Sequence, residues 1–447
     1  MPRICQRSRF LSSQQGQSIS DDLGHKVEVS QTLSSSSSDA ESTTTSEVSE
    51  PRELTKSDKQ LAEEERYQLH SHLRQHHQHA NYTEALKSAQ DILDRSLELF
   101  GKDHPSTASA HNNTGLMHKM LGDFEKAREH YHSALRVYGE VVGKDHASYA
   151  AALNNLGNLD RAQSMTDENL TSFQRLQLND TAVEYFEDAW NIRVAELGKD
   201  HVHTVTSRSN LGGAIAAQVL QGELIRQENS RKDQEKEGNS DDKGSTWKMT
   251  TFTKQKWDLA EQHLRAALRT AINNPKGKQI EVEVSSDDPR LPPRRVKGMS
   301  KKEKHKAAKV RKQMKRELAL KSNEKTDSSI SGLGDTSIKT LSAAGAAQNL
   351  AVFLKSRADL VRTSNDKELT TSLDEGDMYA EAKNLYIGSL RVRSELRGSA
   401  HPETIATKFS LAELISTLGD EEVANKLRNE ILDEYGVQEV EERDTKN

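Results

Sequence analysis

The chain has 447 residues, of which 33% are hydrophobic and 30% are charged, so it is too polar to be globular throughout. Its 63 basic and 69 acidic residues leave a net charge of −6, which excludes a general attraction to polyanions. Cys5 is the only cysteine, which excludes a disulfide framework, and no apolar run approaches the roughly 18 residues of a membrane span. The composition therefore predicts a soluble protein of a reducing compartment, with long disordered segments.

The N-terminal segment, residues 1–58, has a disordered composition and includes the string SSSSSDAESTTTSE. Its start, 1–20, contains Arg3, Arg7 and Arg9 and no acidic residue, which is typical of a mitochondrial transit peptide. Apolar residues are few there, so an amphipathic targeting helix would be weak. We predict a cytoplasmic location, with mitochondrial import as the alternative.

A tetrapeptide, GKDH, begins at Gly101, Gly143 and Gly198, and each copy has a second glycine 14 positions after its first residue. The spacing from Gly101 to Gly143 is 42 positions, and the spacing from Ala85 to Ala127 is the same. Repeats of this length indicate stacked supersecondary units, each too small to bury its own apolar face.

Each unit reads as two amphipathic helices, A and B. The aspartate and histidine of GKDH, with Pro105 or Pro402 after the motif, predict the start of helix A, and Gly122 and Gly419 predict the turn into helix B. We therefore expect an all-α fold, a right-handed superhelical solenoid of about six helix pairs with long disordered inserts. One position of helix A is small in five units, at Gly115, Gly157, Gly212, Ala351 and Ala412.

The register of these repeats predicts the domain boundaries. The helix that follows the first insert is expected to begin at 179, and the helix that precedes the second insert is expected to end at 219. The predicted segments are the N-terminal region 1–58, repeats 1–4 at 59–273 with inserts near 166–178 and 220–253, a basic low-complexity insert at 274–337, repeats 5 and 6 at 338–439 with an insert near 359–377, and a tail at 440–447.

Two charged or histidine-rich strings are candidate sites. Residues 294–321 hold 13 Lys or Arg against Glu303 and Glu317, which suits nuclear import, nucleic-acid contact or docking to an acidic protein, or else a solvated insert. The string HSHLRQHHQH places His72 and His76 one helical turn apart, a spacing that can share a metal ion. No acidic or cysteine ligand accompanies them, so we interpret the string as a solvated terminal helix and predict no metal.

The repeats resemble the tetratricopeptide repeat, and the strings GKDHPSTASAHNNTG, GKDHASYAAALNNLG, LGKDHVHTVTSRSNLG and GSAHPETIATKFSLA look like those of the kinesin light chain subclass. Kinesin light chains carry a heptad coiled coil before their repeats, and residues 1–58 contain no heptads. The resemblance therefore implies the fold and does not imply a motor-subunit role.

The resemblance also implies that helix A lines a concave groove. Amides there could hold the backbone of an extended peptide, or could instead bond to the neighbouring repeat. A carboxylate clamp is not expected, because Ser209 and Gly213 occupy the positions that would need cations. The predicted partner-binding asparagines are Asn113, Asn155, Asn158, Asn210 and Asn349.

The sequence contains no phosphate-binding glycine loop, no HExxH and no G-x-S-x-G motif. We therefore predict a non-catalytic scaffold or adaptor that binds a partner peptide or helix in the groove, with no cofactor, membrane or small-molecule substrate. The alternative is a nucleic-acid-associated or nuclear factor that uses residues 294–321.

Overall fold

The structure, a computed structural model, describes residues 56–236, 251–274, 338–363 and 374–434, which are all helical or turn and contain no strand. The chain divides into two compact units, and their described residues are 56–142 in the first unit and 143–434 in the second. The N-terminal segment and the basic string 294–321 lie outside the described residues. Among the helices described, none is long and apolar enough to cross a membrane.

Four helices are described in the first unit, and each packs against the next. Its core is a cluster that includes Leu73, Ile92 and Met117, all at most 1% exposed. The helices are α1 Lys56–Gln78, α2 Tyr82–Phe100, α3 Pro105–Leu121 and α4 Phe124–Val141.

The second unit continues the same alternation of helices A and B through eight described helices. Consecutive helices pack together, and the helices A also form a layer of their own, because α7 contacts α5 and α9, and α9 contacts α11. Both units are thus stretches of a helical solenoid, as predicted. The helices are α5 Ala147–Thr166, α6 Ser172–Leu197, α7 Val202–Lys236, α8 Thr251–Asn273, α9 Leu341–Thr363, α10 Glu375–Arg397, α11 Pro402–Thr417 and α12 Glu421–Glu434.

The GKDH motif joins helix B of one pair to helix A of the next. Its glycine follows helix B with a φ of +79° at Gly101 and +88° at Gly198, a conformation that side chains with a Cβ rarely adopt. Its histidine is the N-cap of helix A, and Nδ1 accepts a hydrogen bond from the amide two residues further on, at 3.1 Å for both His104 and His146. His401, in the related string GSAH, caps α11 in the same way at 3.2 Å. The motif therefore ends one helix and begins another.

The predicted role of the motif's aspartate differs in the structure. The aspartate of the first copy, Asp103, pairs with Arg136 of α4 at 3.1 Å, and both side chains are about half exposed. The imidazole already satisfies the amide that an aspartate cap would bind, so the aspartate is left to the surface.

The small position of helix A is where helix B comes closest. A Cβ added to Gly115 would lie 2.9 Å from the ring of Tyr131, and one added to Gly157 would lie 2.9 Å from the ring of Phe186. Both rings are fully buried. The repeated glycine is therefore a packing requirement of the helix pair.

The inserts near 166–178 and 220–253 lengthen helices, so the expected helix limits of 179 and 219 are too narrow. Helix α6 begins at Ser172, where Thr171 and Gln174 form a capping box. Helix α7 continues to Lys236, and its buried Glu223 accepts a 2.7 Å hydrogen bond from Thr253 of α8. Caps and contacts that lie outside the repeated positions stabilise both extensions.

Helices α8 and α9 pack directly against each other although residues 274–340 separate them in sequence. Arg265 of α8 donates to both carboxylate oxygens of Glu381 of α10, at 2.7 and 2.9 Å, and to Glu261 at 2.7 Å. Arg357 of α9 donates to Glu261 and, at 3.1 Å, to Asp258. This network joins three helices on the two sides of the basic insert.

Candidate functional site

The predicted asparagines of helix A link successive helices A in the second unit. The Nδ2 of Asn210 donates to Oδ1 of Asn154 at 3.2 Å, which joins α7 to α5. The Nδ2 of Asn349 donates to the hydroxyl of Ser209 at 2.9 Å, which joins α9 to α7. These two amides therefore make the inter-repeat bonds that were the alternative to a role in peptide binding.

The five predicted asparagines fall into a buried group and a half-buried group. Asn113, Asn158 and Asn210 are buried, at 1, 1 and 3% exposed, whereas Asn155 and Asn349 are half-buried. An amide that contacts a ligand must reach solvent in the free protein. Asn155 and Asn349 meet that condition, and peptide binding by the set as a whole stays a prediction.

A cavity of about 340 Å³ opens in the second unit along the helix A layer. Helices α5, α7 and α9 and the start of α6 form its walls. The lining combines apolar side chains with amides and two guanidinium groups. The lining includes Arg161, Met165, Arg175, Leu220, Asn349 and Val352.

The two arginines of the cavity differ in what they contact. Arg175 donates to the carbonyl of Ser164 and, at 2.5 Å, to the carbonyl of Asp167, and so closes the C-terminal end of α5. Arg161 lies in α5, and its Nη1 would be 3.3 Å from a Cβ placed on Gly213 of α7. Burial lowers the pKa of Arg161 to about 10, so the group remains a cation at neutral pH.

Ser209 and Gly213 of α7, the positions at which the sequence lacks the cations of a carboxylate clamp, both contact neighbouring helices A. Ser209 accepts the bond from Asn349, and the absence of a side chain at Gly213 leaves room for the guanidinium of Arg161. The charge at this place therefore comes from the preceding helix A. Sequence reasoning missed Arg161 and Arg175, and the Gly212–Gly213 pair was the available signal that α7 admits a neighbouring side chain.

The histidine-rich string lies at the end of α1. His72 is exposed, His70 is 3% exposed, and Nδ1 of His79 lies 2.8 Å from the carbonyl of Gln75. Within the residues that the structure describes, no group of three or more His, Cys, Asp or Glu has the arrangement of a metal site.

The chain was compared with known proteins. A family model described as Tetratricopeptide repeat matches residues 75–140 and 115–176. Residues 75–176 are therefore similar to tetratricopeptide repeats. The matches span less than half of the chain. They cover α2 to α5, the last residues of α1 and the first residues of α6.

Two further comparisons add little to this. A crystal structure of BtubC (BKLC) from P. vanneervenii is similar with a TM-score of 0.35 and 13% identity, over 82% of this chain and 91% of that one. A likeness at this TM-score carries no argument about the chain. Comparison with curated proteins gives no match.

Proposed function

We propose that this protein is a non-catalytic scaffold or adaptor that binds an extended peptide or a helix of a partner along the helix A layer of the second unit. Tetratricopeptide repeats generally mediate protein–protein interactions, which supports a scaffold. The observation that carries the proposal is the cavity between α5, α7 and α9, which offers apolar and polar side chains to one ligand.

The lining suits a peptide better than a small apolar ligand. Met165 and Val352 are 38 and 39% exposed, so the apolar surface is accessible without rearrangement. Gln221 and Asn349 also line the cavity, and each amide has both a donor and an acceptor, as a peptide backbone requires. A lining that combines apolar and amide groups can hold an extended chain by its backbone as well as by its side chains.

A pair of matched valine variants tests the proposal. Val352→Trp fills the cavity, whereas Val423→Trp places the same side chain at a position of α12 outside the cavity and 42% exposed. Peptides are first selected on the wild-type protein from a displayed random library of short linear sequences. Their affinity for each variant is then measured by fluorescence anisotropy.

We expect Val352→Trp to weaken binding at least about tenfold, because a filled cavity removes the contact surface. Val423→Trp is expected to bind as the wild type does. Equal affinities of the two variants, or a library that yields no binder at all, would contradict the proposal.

The finer assignments made from sequence are also proposals. The kinesin light chain-like subclass is supported by the spacing of the repeats and by the GKDH strings. Cytoplasmic location is supported by composition, with mitochondrial import as its alternative. Nucleic-acid association depends on residues 294–321, which lie outside the described residues, and stays a prediction.

A further inference from the structure

Three histidines of the first unit lie in contact between α3 and α4. His111 and His118 belong to α3, two turns apart, and His130 belongs to α4. The Nδ1 atoms of His111 and His130 are 2.9 Å apart, and the ring of His118 stacks on that of His130 with its centroid 5.5 Å away. All three side chains are partly buried. The cluster therefore brings ring nitrogens of two helices to one place that solvent still reaches.

The close pair of nitrogens is held together by a single proton. A neutral imidazole has a proton on one nitrogen and a lone pair on the other, so this hydrogen bond requires one ring to carry its proton on Nδ1. When both rings carry the proton on Nε2, two lone pairs face the same place. A divalent metal ion accepts both lone pairs there without net loss of a proton, because the Nδ1 proton of the one ring moves to its Nε2 through water.

The separation of the two nitrogens indicates the class of metal. Imidazole nitrogens bind transition metals at about 2.0–2.1 Å, so two of them 2.9 Å apart subtend an angle of about 90° at the ion. That is the angle between neighbouring ligands in the square-planar and tetragonal geometries of Cu²⁺ and Ni²⁺. The tetrahedral geometry of Zn²⁺ requires a separation of about 3.4 Å. The pair therefore suits Cu²⁺ and Ni²⁺ better than Zn²⁺.

We propose that His111 and His130 form a binding site for a divalent ion of the Cu²⁺ or Ni²⁺ type, which ties α3 to α4. Rotation of the two rings about their Cβ–Cγ bonds directs both lone pairs at the ion. No third His, Cys, Asp or Glu of the described residues completes a set of three ligands, so water fills the remaining positions. Partial burial of the two rings leaves that water access.

The protonation and charge of the surroundings agree with a bound cation. Burial lowers the pKa of His111 to about 4 and also lowers the pKa of His130, so both rings are neutral at pH 7, as metal ligands must be. Arg136 is the cation that acts on His111. Its guanidinium donates to Asp103 at 3.1 Å and to Glu140 at 2.8 Å, and these carboxylates offset its charge.

Two further carboxylates lie on the side of His118. The Oδ2 of Asp123 is 3.6 Å from Nδ1 of His118, whose ring in turn packs face to face on His130. Against the effect of burial, the carboxylate of Glu129 raises the pKa of His130, so it attracts positive charge to this ring. An ion at the pair gains from both carboxylates.

Titration of the full chain with nickel chloride at pH 7, followed by calorimetry, tests the proposal. The parent protein carries His72→Gln and His76→Gln, because these histidines of α1 lie one turn apart and can share an ion themselves. His111→Gln and His130→Gln are each expected to weaken Ni²⁺ binding at least about tenfold, because each removes one of two protein ligands. His132→Gln is the matched control, since it removes an exposed histidine of the same helix α4 and is expected to leave the affinity unchanged.

Hydrogen exchange of the wild type, measured by mass spectrometry, needs no variant to fold. Ni²⁺ is expected to slow the exchange of amides in α3 and α4, because an ion that binds the folded unit suppresses its local opening. This readout also separates the pair from the histidines of α1.

An affinity for Ni²⁺ that neither His111→Gln nor His130→Gln changes would overturn the proposal. Protection confined to α1, or an equal loss of affinity in His132→Gln, would overturn it as well. None of these results bears on the peptide cavity, which lies in the second unit.

Discussion

At the scale of single residues, two glycines of helices A are expected to respond in opposite ways to replacement by alanine, because their surroundings differ. A Cβ added to Gly157 would lie 2.9–3.1 Å from three ring atoms of the buried Phe186. A Cβ added to Gly222 would have no atom within 4 Å. Alanine favours a helix over glycine by roughly 1 kcal/mol at either position. The difference between the two sites is therefore a difference in packing alone.

We predict that Gly157→Ala destabilises the second unit and that Gly222→Ala stabilises it. Forcing a methyl group against Phe186 costs about 1–3 kcal/mol, which exceeds the gain in helix propensity. Trp190 and Trp257 lie in the second unit, so urea unfolding followed by tryptophan fluorescence reports on it. A gain in stability for Gly157→Ala would show that the helices relax to accept the methyl group.

The capping histidines make stability depend on pH. The Nδ1 of His401 accepts from the amide of Glu403, and a protonated ring cannot accept there. Burial, with a smaller contribution from Arg397, lowers the pKa of His401 to about 4, against about 6.5 in an unfolded chain. The unfolded chain therefore binds the proton first, and stability falls as the pH drops from about 6.5 to about 4.

We predict that His401→Asn removes part of this pH dependence, since asparagine caps a helix without titrating. At pH 7 the variant and the wild type should be similar in stability. At pH 5 the wild type should have lost on the order of 1 kcal/mol more than the variant. Parallel stability curves between pH 7 and pH 4.5 would mean that the cap contributes nothing.

At the scale of elements, the ion network holds α8, α9 and α10 together. Arg265 is 23% exposed and donates to two carboxylates, Glu261 and Glu381, which hold its pKa above the ordinary range. We predict that Arg265→Ala lowers the unfolding free energy of the second unit by on the order of 1–3 kcal/mol. The matched control is Lys232→Ala, which removes a solvent-exposed pair with Glu228 and is expected to have a much smaller effect, because water screens exposed ion pairs. Equal effects of the two changes in urea unfolding would show that the network adds nothing to packing.

How far the sequence predicts these elements depends on where their stabilising contacts lie. The period of the repeat predicts the six helix pairs, because the residues that end helix B, cap helix A and allow the two helices to pack closely recur at the same positions of each repeat. The early start of α6 and the length of α7 depend on the Thr171 cap and on Glu223 bonded to Thr253, contacts that do not recur.

The candidate site was predicted less well, for a related reason. Three of the five asparagines are buried, which a position in the repeat does not reveal. Arg161 faces the cavity because Gly213 of the following helix A leaves space for it, and that depends on two residues 52 positions apart.

At the scale of the whole molecule, we expect the basic insert to be dispensable for the fold. Helices α8 and α9 pack directly although residues 274–340 separate them, and loop closure costs only about 0.6 kcal/mol per doubling of length. We predict that deleting 280–332 leaves one cooperative melt within a few degrees of the wild type, measured by circular dichroism. An unfolded product would show that the insert packs against the helices.

We propose that the layer of helices α5, α7 and α9 binds a partner peptide. The most direct test is photo-crosslinking of a selected peptide that carries a benzophenone, followed by mass spectrometry of the full chain. We predict crosslinks to α5, α7 and α9, at or next to Met165, Ala217 and Val352, and their loss when unlabelled peptide competes. Crosslinks confined to the first unit, or to residues outside these three helices, would contradict the claim.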